Sequence, residues 1–355
     1  MSGFSFSFAG DDIEDDQTQS SETQKANTQA AETGTLCRPA PSTAFPVTGA
    51  TLLPPTHHSL ASILSLLPSK VSYSSLVITL DDGGKIAIPR RELWDVRVQL
   101  MAEEDDEGLR NLGSDDVRTG VYEGGFKSWE SSVDLVKVLH SRRGGIGRRR
   151  ILEMGCGTAL PSMAMLQWML EGTGEGGLDL GLADYNPTVL QLVTLPNLLL
   201  SWAQVVKGRE GEWEEESDLE ITEELLVEFT NSLAEKNIKL SFFSGVWSPE
   251  FVQLVEANMG MGEAQFTVIG AETIYSPAAL KSFADSLVGL LQRMLATNES
   301  SLVAAKKVYF GVGGSMEDFC DIVRAKGFSV EGVREESDGV RRAVVEVKIS
   351  NTFES

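Results

Sequence analysis

The sequence predicts a mixed α/β protein, Rossmann-like, with a mostly parallel sheet covered on both faces. Three observations predict it. From Ile151 onward, runs of β-type residues alternate with amphipathic helical stretches, the pattern of repeated crossover units. Arg149-Arg-Ile-Leu-Glu-Met-Gly-Cys-Gly-Thr-Ala-Leu-Pro161 reads as a buried strand running into a glycine turn and then a helix, with Glu153 planted at the strand's end. The last two β-type runs face each other across Glu335-Glu-Ser-Asp-Gly339, so the edge can finish as an antiparallel hairpin.

The elements follow in order. Residues 1–44 are rich in Ser, Thr, Gln, Ala and Asp and poor in branched aliphatics, which predicts a disordered acidic tail. Within it, Phe4, Phe6 and Phe8 alternate with serine ahead of an acidic run, the make-up of a short docking motif or of a plain tail. Residues 45–118 form a β-rich extension: strands over 71–80 and 85–89 turn through Asp81-Asp-Gly-Gly84, and an acidic linker spans 103–116. The main α/β domain is 119–355. It opens on an amphipathic helix around 133–139. Strands are expected near 150–155, 178–184, 238–244, 265–272, 306–312, 327–334 and 341–349. Helices are expected near 161–171, 187–203, 220–235, 248–258, 277–296 and 316–326. Two glycine- and glutamate-rich stretches, 171–177 and 207–218, read as solvated insertions.

Composition narrows the chemistry. The 355 residues carry 52 acidic and 30 basic side chains, a net charge of −22, which argues against gripping a nucleic-acid backbone and suits a basic protein partner, or serves solubility alone. Cys37, Cys156 and Cys320 are too few and too scattered for a disulfide framework or a zinc site. No apolar run reaches membrane-spanning length and no leader pattern opens the chain, so a soluble intracellular protein is expected. The three histidines, His57, His58 and His140, lie in segments that do not resemble a site, which leaves no expected metal centre and no histidine-based nucleophile.

The chemistry-bearing residues sit where strands end. Gly155 and Gly157 let the backbone approach a ligand, and the helix beyond them offers unpaired N–H groups. The third glycine of the dinucleotide fingerprint is missing, with Ala159-Leu-Pro161 in its place, so a bound pyrophosphate is not expected. Asp184, in Leu182-Ala-Asp-Tyr-Asn-Pro187, lies 27 residues past Gly157 and supplies a carboxylate for ribose hydroxyls, or else a helix cap, for which Asn186 is better placed. Trp247, after the third strand, either covers a purine or is a core tryptophan. Strand four ends in Ile269-Gly-Ala-Glu-Thr-Ile-Tyr-Ser-Pro277, which points Glu272 and Tyr275 toward an acceptor. Upstream, Tyr122-Glu-Gly-Gly-Phe-Lys-Ser-Trp-Glu130 suits a lid over a ligand, or a helix start with Ser128 or Ser131 as cap.

The stretch Glu153–Gly157 is similar to motif I of the seven-stranded S-adenosylmethionine-dependent methyltransferases. Gly120–Leu135, Leu152–Pro161, Asp184–Leu190 and Glu272–Pro277, together with Ile88–Arg97 and Gln99–Glu104, resemble the eukaryotic protein-histidine N-methyltransferases over most of the chain. Sister enzymes that modify lysine usually carry Asp-x-x-Tyr after strand four, whereas this chain has Glu-x-x-Tyr. The resemblance implies transfer of one methyl group from S-adenosylmethionine to a histidine of the third large-subunit ribosomal protein. It also implies a lid with Trp129 and Glu130, cofactor contacts from Glu153, Gly155, Gly157, Asp184 and Trp247, and acceptor-side Glu272 and Tyr275; Asn186, beside Asp184, is counted with the cofactor-binding residues. A monomer in cytoplasm and nucleus, without nucleic-acid or membrane contact, goes with it. The rival expectations are lysine methylation on the same scaffold and a non-catalytic escort of a ribosomal protein.

Overall fold

The computed structural model describes residues 52–102, 117–118, 122–123, 125–143, 147–172, 176–208, 213–260, 264–294, 300–311 and 313–350; the expected tail and acidic linker lie outside them. From Leu52 the chain lays down β1 (Thr56–His58) and a short helix, α1 (Leu60–Leu64). The expected hairpin follows as β2 (Lys70–Thr79) and β3 (Lys85–Arg91), turning where Gly83 takes φ +83° and Asp82 Oδ1 accepts the Gly84 N–H. Helix α2 (Leu93–Ala102) and a two-strand ribbon, β4 (Val117–Arg118) and β5 (Tyr122–Glu123), lead to α3 (Glu130–Ser141).

The alternating half then runs β6 (Gly147–Met154), α4 (Leu160–Glu171), β7 (Gly176–Asp184) and a long helix, α5 (Pro187–Gly208), which carries one π turn over Leu190–Thr194. It continues through β8 (Glu216–Glu220), α6 (Glu223–Glu235), β9 (Ile238–Ser244), α7 (Pro249–Met259), β10 (Gln265–Ala271), α8 (Pro277–Arg293), β11 (Ser300–Lys306), α9 (Met316–Ala325), β12 (Phe328–Glu336) and β13 (Arg342–Ile349). α5 is apolar and long enough to cross a membrane, yet 83% of its most apolar stretch is buried inside the protein, which makes it a core helix.

One sheet of eight strands has the order β1-β9-β7-β6-β10-β11-β13-β12. β9, β7, β6, β10 and β11 run parallel, β13 is inserted antiparallel between β11 and β12, and β1 pairs antiparallel with the far edge of β9. Because both faces are covered, the period-2 alternation sends neighbouring residues into different apolar layers rather than to solvent. Ile151 of β6 joins the layer of Leu160, Leu166, Leu180 and Leu195, while Leu152 and Met154 join that of Val268, Phe283 and Leu287.

Two sequence expectations are corrected, and one helix is added. The fifth parallel strand is Ser300–Lys306, not 306–312: the small, buried Ala304 and Ala305 fit the sheet interior. The β-prone Val308-Tyr-Phe310 turns away through Gly311 and Gly313 at positive φ, leaving Phe310 76% exposed. The stretch 207–218 is not merely solvated: its end becomes part of β8, which pairs with β2 from Lys70↔Glu220 to Ser74↔Glu216, and Trp213 stacks on Tyr73 with ring centroids 4.5 Å apart. α2 went unforeseen, its inward side being only Val96 and Leu100. Val71, Tyr73 and Ile88 of the hairpin share one apolar layer with Leu160 and Met163, so the extension packs on the catalytic core.

Candidate active site

β6 and β7 are neighbours in the centre of the sheet, and their carboxyl ends bring Glu153, the glycine turn and Asp184 together. Gly155 and Gly157 take φ +67° and +48°, backbone that side-chain-bearing residues rarely adopt, and a Cβ at Gly155 would come within 2.7 Å of Thr273 Cγ2. The Gly157 N–H donates to Asp184 Oδ2 at 3.1 Å, and the Asn186 N–H donates to Oδ1 at 3.1 Å. Asn186 itself caps α5, its side chain accepting the Thr188 N–H at 2.9 Å. Burial pushes the Asp184 carboxyl up to about 6 against these N–H donors, so at neutral pH it is a carboxylate with acceptor capacity to spare.

Glu153 is 2% exposed and turned into the start of α4, where it accepts the Ser162 N–H at 3.1 Å and the Ser162 hydroxyl. Burial holds its pKa at about 8, with Asp184 adding repulsion. It therefore braces the turn from behind. Trp247 is 5% exposed, its ring lying between Gly155 and Phe283; the site position and the core position coincide in one buried ring beside the turn.

On the other side of β6, strand β10 ends at Ala271, and the next residue, Glu272, sits at φ +57° with its N–H donated to Ala304 O at 2.9 Å. Its Oε1 accepts the Ser131 hydroxyl and its Oε2 accepts the Tyr309 hydroxyl at 2.5 Å. Burial raises the Glu272 pKa, opposed by those two hydroxyls and by the nearby charges of Lys306 and Arg342. Tyr275 is partly buried against the same apolar layer; its carbonyl accepts the Gly314 N–H at 3.0 Å, while the phenol on Glu272 is that of Tyr309.

The segment Gly125–Ser131 links the two halves. A Cβ at Gly157 would lie 3.0 Å from Gly125 O, the Ser128 and Thr158 hydroxyls are 2.9 Å apart, and Ser131 reaches Glu272. Neither Ser128 nor Ser131 caps α3; Trp129 occupies that position without a side-chain cap bond. The Trp129 ring lies under the Lys306 ammonium, 5.4 Å from its centroid. The Glu130 carboxylate is taken by Arg342 at 2.9 Å, and the same guanidinium holds Asp134 at 2.6 Å. Phe126 anchors the segment among Val96, Leu100, Val189 and Val193. Sequence reasoning missed Thr158 and Tyr309, and it met Ser128 and Ser131 only as caps; a hydroxyl that finds a carboxylate 141 residues away leaves no local pattern.

The residues fit a nucleoside cofactor: two glycines at positive φ and a buried carboxylate at the end of the second strand form the cradle. Strand order and site together define a seven-strand methyltransferase of the S-adenosylmethionine-dependent class, with β1 added at the edge. No protein-family model matches the chain. Histidine protein methyltransferase 1 of Saccharomyces cerevisiae is 32% identical over 340 residues, 89% of each chain. Its namesake in Schizosaccharomyces pombe is 36% identical over 270 residues, 74% of each, and the Bos taurus homologue is 30% identical over 65% of this chain and 57% of its own length. Among solved structures, magnesium protoporphyrin IX methyltransferase of Synechocystis PCC 6803 matches with a TM-score of 0.35 at 14% identity over 72% of this chain and 98% of that one, too distant to carry an argument. The chain belongs to the histidine protein methyltransferase 1 family and is a eukaryotic protein-histidine N-methyltransferase that uses S-adenosylmethionine.

Proposed function

We propose that this enzyme methylates one imidazole nitrogen of a histidine in a basic ribosomal protein of the large subunit, the third by family resemblance, and that Glu272 receives the acceptor ring. The observation that carries the reading of Glu272 is its carboxylate at the end of β10, held on each oxygen by a hydroxyl donor. The net charge of −22 supports a basic substrate. Such a substrate is made in the cytoplasm and assembled in the nucleus, the two compartments this reading requires.

The bound cofactor supplies an electrophilic methyl group on a sulfonium. Gly155, Gly157 and Asp184 would hold its nucleoside, and Gly125–Ser131, hydrogen-bonded through Ser128 to Thr158 and through Ser131 to Glu272, would cover the gap between them. A histidine with an ordinary pKa near ~6.5 is about three-quarters neutral at pH 7, so its bare nitrogen can attack without a dedicated base. As that nitrogen takes the methyl, the carbon–sulfur bond would break with its electron pair staying on sulfur, leaving a neutral thioether, and the ring becomes cationic until its N–H proton passes to solvent. Glu272 accepts the N–H of the other ring nitrogen and meets that charge as it develops, which aligns the ring and lowers the barrier.

Incubation of the enzyme with purified large-subunit ribosomal proteins and radiolabelled cofactor, followed by acid hydrolysis, tests the substrate. Label recovered as methylhistidine in one basic ribosomal protein is expected. No label in any of these ribosomal proteins, from enzyme that still binds the cofactor, would overturn the substrate assignment. Glu272→Gln should keep cofactor affinity and lower turnover, because its effect belongs to charge present only during transfer.

A further inference from the structure

The loop between β11 and α9 has no part in the motifs, yet it delivers a phenol to the acceptor-side carboxylate. Tyr309 stands three residues past Lys306, where β11 ends, and it is 8% exposed while its neighbours Val308 and Phe310 are 49% and 76% exposed. A tyrosine buried between two exposed apolar residues is being held inward by something specific. The backbone shows what holds it. The Tyr309 N–H donates to Gly314 O at 3.0 Å, the Gly313 N–H donates to Tyr309 O at 3.2 Å, and the Gly314 N–H donates to Tyr275 O at 3.0 Å.

Gly314 is pressed so closely on the chain after β10 that a Cβ there would fall 2.1 Å from Ile274 O and 2.5 Å from Tyr275 C. No side chain fits, so the loop is fastened to the very segment that carries Glu272 just past β10. Gly311 and Gly313, at φ +81° and +92°, let the chain make the reversal.

We propose that Tyr309 is a positioning residue for methyl transfer: its hydroxyl on Oε2 of Glu272, with Ser131 on Oε1, fixes the orientation in which that carboxylate meets the acceptor ring. This rests on the reading that Glu272 faces the acceptor. Two hydroxyl donors, one on each oxygen, match the ionised form, which only accepts hydrogen bonds, and leave further lone pairs for an imidazole N–H. The donors come from separate elements, the first turn of α3 and the β11–α9 loop, so the carboxylate is clamped from two sides. Burial, the largest influence, raises the Glu272 pKa; the Ser131 and Tyr309 hydroxyls oppose it, followed by the charges of Lys306 and Arg342 among the described residues. Tyr309 stays protonated, its own pKa driven well above the usual range by burial and by Glu272. Tyr275 contributes through its carbonyl, the anchor for Gly314.

The test compares Tyr309→Phe, Ser131→Ala and Glu272→Gln with the wild-type enzyme. S-adenosylhomocysteine titration reports the cofactor site, turnover reports transfer, and the infrared carboxyl band that Glu272→Gln abolishes is followed against pH. Tyr309→Phe should bind S-adenosylhomocysteine as wild type does and lose turnover on the order of tenfold, the scale of one hydrogen bond to a charged group. It should also move the Glu272 midpoint to higher pH, because a bond that favours the ionised form has gone. If Tyr309→Phe does not fold, Ser131→Ala should give the same loss and the same upward shift. Wild-type turnover in Tyr309→Phe, or lost turnover with an unmoved midpoint, overturns the proposal. Wild-type turnover in Glu272→Gln instead removes the reading of Glu272 itself, whatever Tyr309 does.

Discussion

Gly155→Ala isolates what the glycine turn requires. Two separate costs attach to the added methyl. The residue sits at φ +67°, and holding a side-chain-bearing residue in left-handed backbone costs roughly 1–2 kcal/mol. The new Cβ would also stand 2.7 Å from Thr273 Cγ2. Thr273 is 3% exposed and β-branched, so it cannot swing aside freely, and forcing a methyl into packed surroundings costs about 1–3 kcal/mol. The expected destabilisation is the sum, roughly 2–5 kcal/mol, read as a lowered denaturant midpoint at constant slope. Cofactor affinity should fall with it if the turn is the proposed cradle.

Thr273→Ser separates the two costs because it deletes the clashing Cγ2 and keeps the hydroxyl. In the Gly155→Ala, Thr273→Ser double variant, most of the packing cost should return while the backbone strain of about 1–2 kcal/mol remains. A double variant no more stable than Gly155→Ala would refute the argument, as would Gly155→Ala with unaltered stability and cofactor titration.

Further outcomes follow from the two buried carboxylates and the ion-pair network. Cofactor affinity should weaken as pH falls through about 6, where Asp184 protonates and its acceptor capacity is reduced, and Asp184→Ala should weaken binding by roughly 1.5–3 kcal/mol; calorimetric titration across pH decides both. Glu153 has a folded-state pKa of about 8 against an ordinary 4.5, so its contribution to stability is fully present below pH 4.5 and is lost as pH rises through about 8; thermal unfolding of Glu153→Gln should show a flatter pH dependence over that window. Arg342→Leu strands the buried Asp134 and frees Glu130, and should cost about 3–5 kcal/mol in denaturant unfolding, with a null result dismissing the network as structural support.

The sequence by itself determined the layered α/β architecture, the place of the glycine turn after β6 and the family. These are legible because they are local. A buried strand, a glycine turn and a helix lie within the 13 residues from Arg149 to Pro161, and five of the seven expected strands fall within about three residues of β6, β7, β9, β10 and β12. β13 is likewise where the final β-type run stands.

What only the tertiary structure decided are the pairings between distant segments. β8 is a strand because β2 lies beside it, not because Glu216-Ser-Asp-Leu-Glu220 has strand character. Val308-Tyr-Phe310 has that character and is not a strand, because the sheet has already ended at Lys306. Glu272 was legible as an acid at a strand end, but its hydroxyl partners Ser131 and Tyr309 stand 141 residues before it and 37 after it. Glu130, named by resemblance, meets Arg342 from 212 positions away. Periodicity and turn chemistry act over a few residues and set the elements. The orientation of the Glu272 carboxylate depends on burial and on donors from other elements, and those exist only once the chain has closed on itself.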